Sequence, residues 1–192
     1  MPPDLTSNTL GCLNRYLDIF PSEQDGLAKL SEQLNSGEDC FSRGNMSGHI
    51  TTSAAVVSPD MAHILLVFHR TFQQWQPPGG HYRPPGTLLA SAMRETQEET
   101  GIGSLVLHPW STFKRSPLHI ATYPIAPNAA KGEGAHWHHD FCYLLVASGG
   151  RDCAPQLSEV CEAAWHPVES LPLFGEHALA AKLSQALCFG RR

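Results

Sequence analysis

The sequence lacks the features that mark zinc ribbons, disulfide scaffolds and membrane proteins. Its six cysteines form no Cys-x-x-Cys pair, so neither a zinc ribbon nor a thioredoxin-like redox site is indicated. Six cysteines in 192 residues are also too sparse for a disulfide scaffold. No apolar run approaches membrane-spanning length, and residues 1–4 lack the basic and apolar regions of a signal peptide. We therefore expect a cytoplasmic protein with reduced thiols and no membrane contact.

Charge is scarce as well, since only 16% of the residues are charged and the formal net charge is -5. A mildly acidic chain is not expected to bind nucleic acid through bulk charge, and 42% hydrophobic residues argue against wholesale disorder. The acids are unevenly spread: residues 1–48 hold seven acids and three bases, whereas residues 49–192 hold eleven and ten. This split predicts an acidic leader in front of a nearly neutral main domain.

Hydrophobic periodicity supports the same division. Leu10, Leu13 and Leu17 recur at helical spacing, Pro21 ends that run, and a second helix is predicted from Ser22 onward. Residues 1–48 are thus predicted to form a helical leader that packs on a domain of residues 49–192. In that domain the patterns predict strands at 50–58, 62–70, 104–113, 118–125, 141–147 and 160–166, and helices at 87–100 and 173–187. This order predicts an α/β (α+β) fold, a mixed sheet between helices, rather than a regular βαβ array.

The predicted helix at 87–100 carries three carboxylates on one face. Glu95, Glu98 and Glu99 follow the i, i+3, i+4 spacing, and Arg94 is the only base beside them. Three like charges on one face repel each other, and a hard divalent cation such as Mg²⁺ or Mn²⁺ relieves that repulsion by binding the oxygens. The alternative is a solvated acidic helix face.

The surrounding segment, residues 80–102, reads GHYRPPGTLLASAMRETQEETGI and resembles the signature of the Nudix hydrolases, G-x5-E-x7-R-E-U-x-E-E-x-G-U, where U is a bulky apolar residue. The positions that match are Gly80, Arg94, Glu95, Glu98, Glu99, Gly101 and Ile102. Gly86 replaces the first Glu, and Thr96 stands at an apolar position. The resemblance extends over about residues 48–187, including HITTSA at 49–54 and WHPVESL at 165–171.

The resemblance implies a Nudix fold and a metal-dependent hydrolase that cleaves a nucleoside diphosphate linked to another moiety, such as a nucleotide sugar, ADP-ribose or a dinucleotide. It implies that Glu95, Glu98 and Glu99 bind Mg²⁺ or Mn²⁺, and that Arg94 holds a glutamate in place. One of these glutamates, or a loop acid such as Glu159 or Glu162, would activate the attacking water. Nudix proteins are often dimers, so a homodimer is an open possibility.

Gly86 bears on how well such a site works. In the family the first Glu mainly supports the loop and the arginine, whereas the later glutamates hold the metal. Its loss at position 86 therefore threatens precision more than metal binding. Arg83 and Pro85 likewise replace the acid and the glycine that this loop often has in the family.

Other residues are candidates for substrate binding, each with a plainer alternative. Gly79 and Gly80 could let the backbone approach the phosphates or could form a plain turn, and His81 follows them. Arg70 could bind a phosphate bidentately or be an exposed strand-end arginine.

A histidine-rich segment adds a second group of candidates. His136, His138 and Asp140 alternate onto one face of a predicted strand. They could contact phosphates, supply a general base, bind Zn²⁺, or form a polar strand face that lines the substrate cleft.

Two further classes of function stay open at this stage. One is a non-catalytic nucleotide-sensing or protein-binding module, which Gly86 and the acidic leader favour. The other is a diphosphate isomerase, whose required cysteine and glutamate contexts find no match here. In the leading interpretation the partner is a small nucleoside diphosphate derivative.

Overall fold

The computed structural model describes residues 4–129, 132–155 and 160–189. The strands are β1 (His49–Val57), β2 (His63–His69), β3 (Gln74–Gln76), β4 (Gly79–His81), β5 (Leu105–Leu107), β6 (His119–Ile125), β7 (His136–Ala147) and β8 (Val160–Pro167). The α-helices are α1 (Leu5–Ile19), α2 (Ala28–Ser36), α3 (Leu88–Thr100), α4 (Pro109–Lys114) and α5 (His177–Leu187). Short 3-10 helices cover Pro21–Glu23, Asp25–Leu27 and Val168–Phe174.

A central parallel pair of strands organises the sheet. All nine residues of β1 pair with β7, from His49 opposite His138 to Val57 opposite Val146. The other strand pairings are antiparallel, and they give the main order β8-β2-β1-β7-β6. β3 extends the sheet beside β2, β4 pairs with the first half of β1, and β5 pairs with the end of β7.

Helices cover both faces of this sheet. Since successive strand residues point to opposite faces, alternate residues of β1 enter two different cores. Ile50, Ala54 and Val56 face the core that α1, α2 and α3 complete. Ala55 and Val57 face the core that α4 and α5 complete. The predicted mixed sheet between helices is confirmed. Within the described ranges, no helix combines the length and the apolar character needed to cross a membrane.

Residues 4–48 pack into the same core through α1 and α2. Gln33 of α2 donates from Nε2 to the Gly48 carbonyl at 2.6 Å. Its Oε1 accepts from His139 Nε2 at 2.9 Å, and Thr122 completes the other side of that ring. Burial lowers the pKa of His139 to about 4, so this connection is made by a neutral histidine at pH 7. The division of the chain at residue 48 stays a prediction.

Two local expectations are wrong. The predicted strand at 104–113 is only β5, and it is followed by α4. The reason is local: the His108 side chain accepts from the backbone of Trp110, and Pro109 takes the first helical position, where its missing N–H costs nothing. The second helix of the leader begins at Ala28 rather than near Ser22, since two 3-10 turns precede it.

Candidate active site

α3 turns Glu95 and Glu99 toward the sheet and leaves Glu98 partly in solvent. Thr87 caps its first turn by accepting from the Ala90 N–H, and Gly101 ends it in the left-handed conformation at φ 70°. Glu95 and Glu99, one turn apart, are buried, whereas the Glu98 side chain is 41% exposed. The acidic face is therefore neither wholly solvated nor wholly enclosed.

The two glycines of β4 allow these carboxylates to reach the strand. Gly79 N–H donates to Glu99 Oε2 at 2.8 Å. A Cβ on Gly80 would lie 2.5 Å from Glu95 Oε2, inside contact distance. A Cβ on Gly79 would lie 2.5 Å from the Thr52 carbonyl of β1. Only glycine therefore fits at both positions without movement, and the alternative of a plain turn is wrong because both lie in a paired strand.

Two arginines pair with the carboxylates of Glu95 and Glu98. Arg94 donates from Nη2 to Glu95 Oε1 at 2.9 Å and to Ser91 Oγ at 3.1 Å. Arg83 donates from Nη2 to Glu95 Oε1 at 2.9 Å and to Glu98 Oε2 at 2.5 Å. These contacts raise the pKa of Arg83, with the Glu95 hydrogen bond as the largest cause. Sequence reasoning noted Arg83 only as a departure from the family pattern and missed this bridge.

The loop before α3 explains how Gly86 is accommodated. Gly86 has φ +136°, a conformation that L side chains rarely adopt, and its carbonyl accepts from Tyr82 Oη at 2.9 Å. A glutamate at this position would have a strained backbone even though its Cβ would meet Ala90 Cβ only at an ordinary contact distance of 3.7 Å. The loop is therefore built for glycine here, and it supplies Arg83 to the glutamates instead.

The donor set fits a hard divalent cation. Glu95, Glu98 and Glu99 offer carboxylate oxygens, the ligand type that Mg²⁺ and Mn²⁺ prefer. Glu95 Oε2 lies against Gly80 and is distinct from Oε1, the oxygen that both arginines contact. An ion that used Glu95 Oε1 or Glu98 Oε2 would have to compete with the Arg83 guanidinium.

The opposite face of the sheet carries a histidine cluster, formed by His49, His81, His136 and His138. The ring centroids of His49 lie 5.1, 4.8 and 4.8 Å from those of His81, His136 and His138. Burial lowers the pKa of His138 to about 2, and neighbouring rings add to the decrease. Burial also lowers the pKa of His49, so both rings are neutral at pH 7.

Asp140 continues this face but is already engaged. It accepts hydrogen bonds from Thr51 Oγ1 at 2.9 Å and Ser53 Oγ at 2.5 Å, both from β1. Burial nevertheless raises its pKa, against the effect of the two hydroxyls. Glu176, the residue before α5, has a raised pKa from burial and from the Asp140 charge. Sequence reasoning missed Glu176, since nothing in the sequence indicates that it comes near β7.

Two predicted site residues lie outside α3 and the histidine-bearing strands. Arg70 is exposed in the turn between β2 and β3, and Glu162 is exposed on β8 opposite Phe68. Their roles stay predictions. The alternative loop acid, Glu159, lies outside the described residues.

A comparison with protein families matches residues 48–187 to the NUDIX domain model. The chain belongs to the Nudix family. Its membership was predicted from the signature in residues 80–102, and that prediction is confirmed.

Two curated relatives each match part of the chain. Over 74 residues the chain is 36% identical to the m7GpppN-mRNA hydrolase NUDT17 of Bos taurus, covering 38% of this chain and 23% of that protein. Over 58 residues it is 40% identical to the asymmetrical bis(5'-nucleosyl)-tetraphosphatase of Rattus norvegicus, covering 30% of this chain and 40% of that protein. The matches thus span less than half the length of either relative.

Solved structures support the fold over a longer stretch. A C. elegans Ap4A hydrolase, solved as a binary complex, superposes with a TM-score of 0.56 at 18% identity, covering 72% of this chain and 97% of that one. At this identity the likeness concerns the fold alone.

Proposed function

We propose that this Nudix protein is a pyrophosphohydrolase that depends on Mg²⁺ or Mn²⁺ and cleaves a nucleoside diphosphate linked to another moiety. The observation that carries the proposal is the position of Glu95 and Glu99 against the Gly79-Gly80 strand, with Glu98 on the same helix and joined to Glu95 through Arg83. The names of the two curated relatives support it, because both are hydrolases of phosphate anhydrides in nucleotides.

When bound, the divalent ion would neutralise the phosphate oxygens and acidify a water. The chain's own residues do the rest. Arg94 fixes the Glu95 carboxylate through a charge-assisted hydrogen bond, and the Gly79 N–H fixes that of Glu99. Glu98 is the most exposed of the three, and within the described residues its carboxylate makes no hydrogen bond to the backbone. It is therefore suited to accept the proton from the attacking water.

Substrate-binding roles are proposed for residues around this centre. Gly80 and His81 bring the strand backbone to the substrate, and Arg70 offers a guanidinium to a phosphate. His138 and Asp140 lie on the other face of the sheet, so their roles in substrate binding stay predictions. Leu5 and Phe41 of the leader line a groove together with the loop that precedes α3.

A substrate panel tests the proposal. Purified protein is incubated with ADP-ribose, a nucleotide sugar and a dinucleoside polyphosphate, with Mn²⁺, with Mg²⁺ and with EDTA, and products are separated by ion-exchange chromatography. We expect cleavage of at least one substrate at the diphosphate, complete loss in EDTA and recovery on adding metal. Metal-dependent binding of the same compounds without product would contradict hydrolysis and favour the sensing alternative.

The sensing alternative has one observation in its favour, the bridge from Arg83 to Glu95 and Glu98. We expect Arg83→Gln to tighten Mn²⁺ binding by up to about 5-fold, since a competing, partly exposed ion pair contributes up to about 1 kcal/mol. Electron paramagnetic resonance of free Mn²⁺ measures this without turnover. Arg151→Gln is the matched control, because Arg151 pairs with Asp60 at the surface. Unchanged or weaker Mn²⁺ binding in Arg83→Gln would contradict the competition.

A further inference from the structure

Three histidines on the face of the sheet opposite α3 converge on one point. His49 of β1, His81 of β4 and His138 of β7 each offer one ring nitrogen, and these atoms all lie within 4.8 Å of one another. We propose that His49, His81 and His138 bind one transition-metal ion, preferentially Zn²⁺, at a site separate from the glutamates of α3.

Strand register brings the three rings together. His49 pairs with His138 across the parallel β1–β7 ladder, so their side chains leave the same face. His81 pairs with Thr51, two residues after His49, and shares that face as well. Gly80 contacts Glu95 on the other face, so β4 alone separates the histidines from the glutamate site.

His49 presents a nitrogen suited to a metal. Its Nδ1 lies 3.1 Å from the Asn45 carbonyl, and a carbonyl can only accept, so Nδ1 carries the hydrogen. Its Nε2 therefore holds a lone pair, and this buried atom finds no hydrogen-bond partner among the described residues. A buried acceptor without a partner is costly, and a bound cation would satisfy it.

His136 supports the cluster from the side. Its Nδ1 lies 2.8 Å from the Gly134 carbonyl, and its ring stacks on that of His49 at 4.8 Å with an interplanar angle of 24°. Its Nε2 lies 3.1 Å from His138 Nε2. A hydrogen bond from the other ring nitrogen to a backbone carbonyl, as His49 makes to Asn45, is a usual way in which proteins orient metal-binding histidines.

The geometry and the chemistry point to zinc rather than magnesium. Three nitrogens at about 2.1 Å from one ion lie about 3.4–3.6 Å apart, so gaps of at most 4.8 Å would close by up to about 1.2–1.4 Å when an ion binds. Imidazole ligands suit Zn²⁺, Co²⁺ and related ions, whereas Mg²⁺ prefers oxygen. Three protein ligands also leave a fourth position for water or a substrate atom.

The structure also changes the site suggested by sequence. The sequence grouped His136, His138 and Asp140, but Asp140 is occupied by the hydroxyls of Thr51 and Ser53. His49 and His81 take its place from other strands.

Metal analysis of protein made without a histidine tag tests the site. The apoprotein is loaded with Zn²⁺, dialysed and analysed by mass spectrometry for metal content. We expect one Zn²⁺ per chain in the wild type and in His177→Asn, the exposed matched control. We expect His49→Asn and His138→Asn to lose it. Retention of the ion by both of these variants would overturn the proposal.

Cobalt substitution keeps the test independent of the variants' folding. Co²⁺ bound by three imidazoles and water gives visible absorption bands that Co²⁺ in water lacks. Their absence on titrating the wild type would overturn the site. Glu98→Gln should keep the full Zn²⁺ content and the cobalt bands whatever its turnover. The histidine site and the proposed hydrolase activity are therefore tested independently of each other.

Discussion

Replacing Glu98 with glutamine is expected to reduce kcat/KM for the diphosphate substrate by about 100- to 1,000-fold, the range associated with loss of a general base or of a metal-bound carboxylate. The substitution removes one charge and keeps the shape. Because the Glu98 side chain is 41% exposed, we expect the free energy of unfolding to change by no more than about 0.5 kcal/mol. The measurements are steady-state kinetics with saturating Mn²⁺ and thermal unfolding.

Glu32→Gln provides the matched control for this change. Glu32 is an exposed glutamate of α2, so its substitution removes the same charge from a helix surface away from α3. It should leave both the rate and the unfolding temperature at wild-type values. Turnover by Glu98→Gln at the wild-type rate would contradict the metal and base assignment of this residue, although the chain would still belong to the Nudix family.

The sequence predicts the helix of the site well because the relevant signals are local. Thr87 and Gly101 bound α3 through capping, which depends on residues within one turn. The spacing of Glu95 and Glu99 then fixes that they share a face. Periodicity does not say which face packs inward, however. Here the carboxylates face β4 because its two glycines make room for them, and that contact joins residues far apart in the chain.

Contacts between distant strands account for most of what the sequence misses. His49 and His81 join His138 only through the β1–β7 and β1–β4 registers, which no local pattern encodes. Arg83 is a different case, since it lies within the signature. Its bridge to two glutamates depends on the path of the loop, which a positive φ at Gly86 sets. A departure from a family pattern is therefore a reason to look for a replacement contact.

Adding a single methyl group at Gly80 is expected to disturb the site more than the fold. In Gly80→Ala the new Cβ would lie 2.5 Å from Glu95 Oε2 and 2.9 Å from its Cδ, so the carboxylate must move. Arg94 and Arg83 hold the other oxygen of Glu95, which means that the movement also displaces its hydrogen-bond partners. A misplacement of about 1 Å in a catalytic group costs up to about 100-fold in rate, and we expect kcat to fall by about 10- to 100-fold.

Substitutions at two other glycines distinguish this local effect from a general loss of stability. Gly103→Ala meets no atom within 4 Å and should keep the wild-type rate. In Gly79→Ala the Cβ would lie 2.5 Å from the Thr52 carbonyl and 2.7 Å from Ser53 Cα, so strand pairing itself must shift and the unfolding temperature should fall sharply. Gly80→Ala should unfold near the wild-type temperature, because it displaces the end of a side chain rather than backbone. A wild-type kcat in Gly80→Ala would mean that the position of Glu95 against β4 does not matter for turnover. A fall in the unfolding temperature equal to that of Gly79→Ala would mean that Gly80 supports the fold rather than the site.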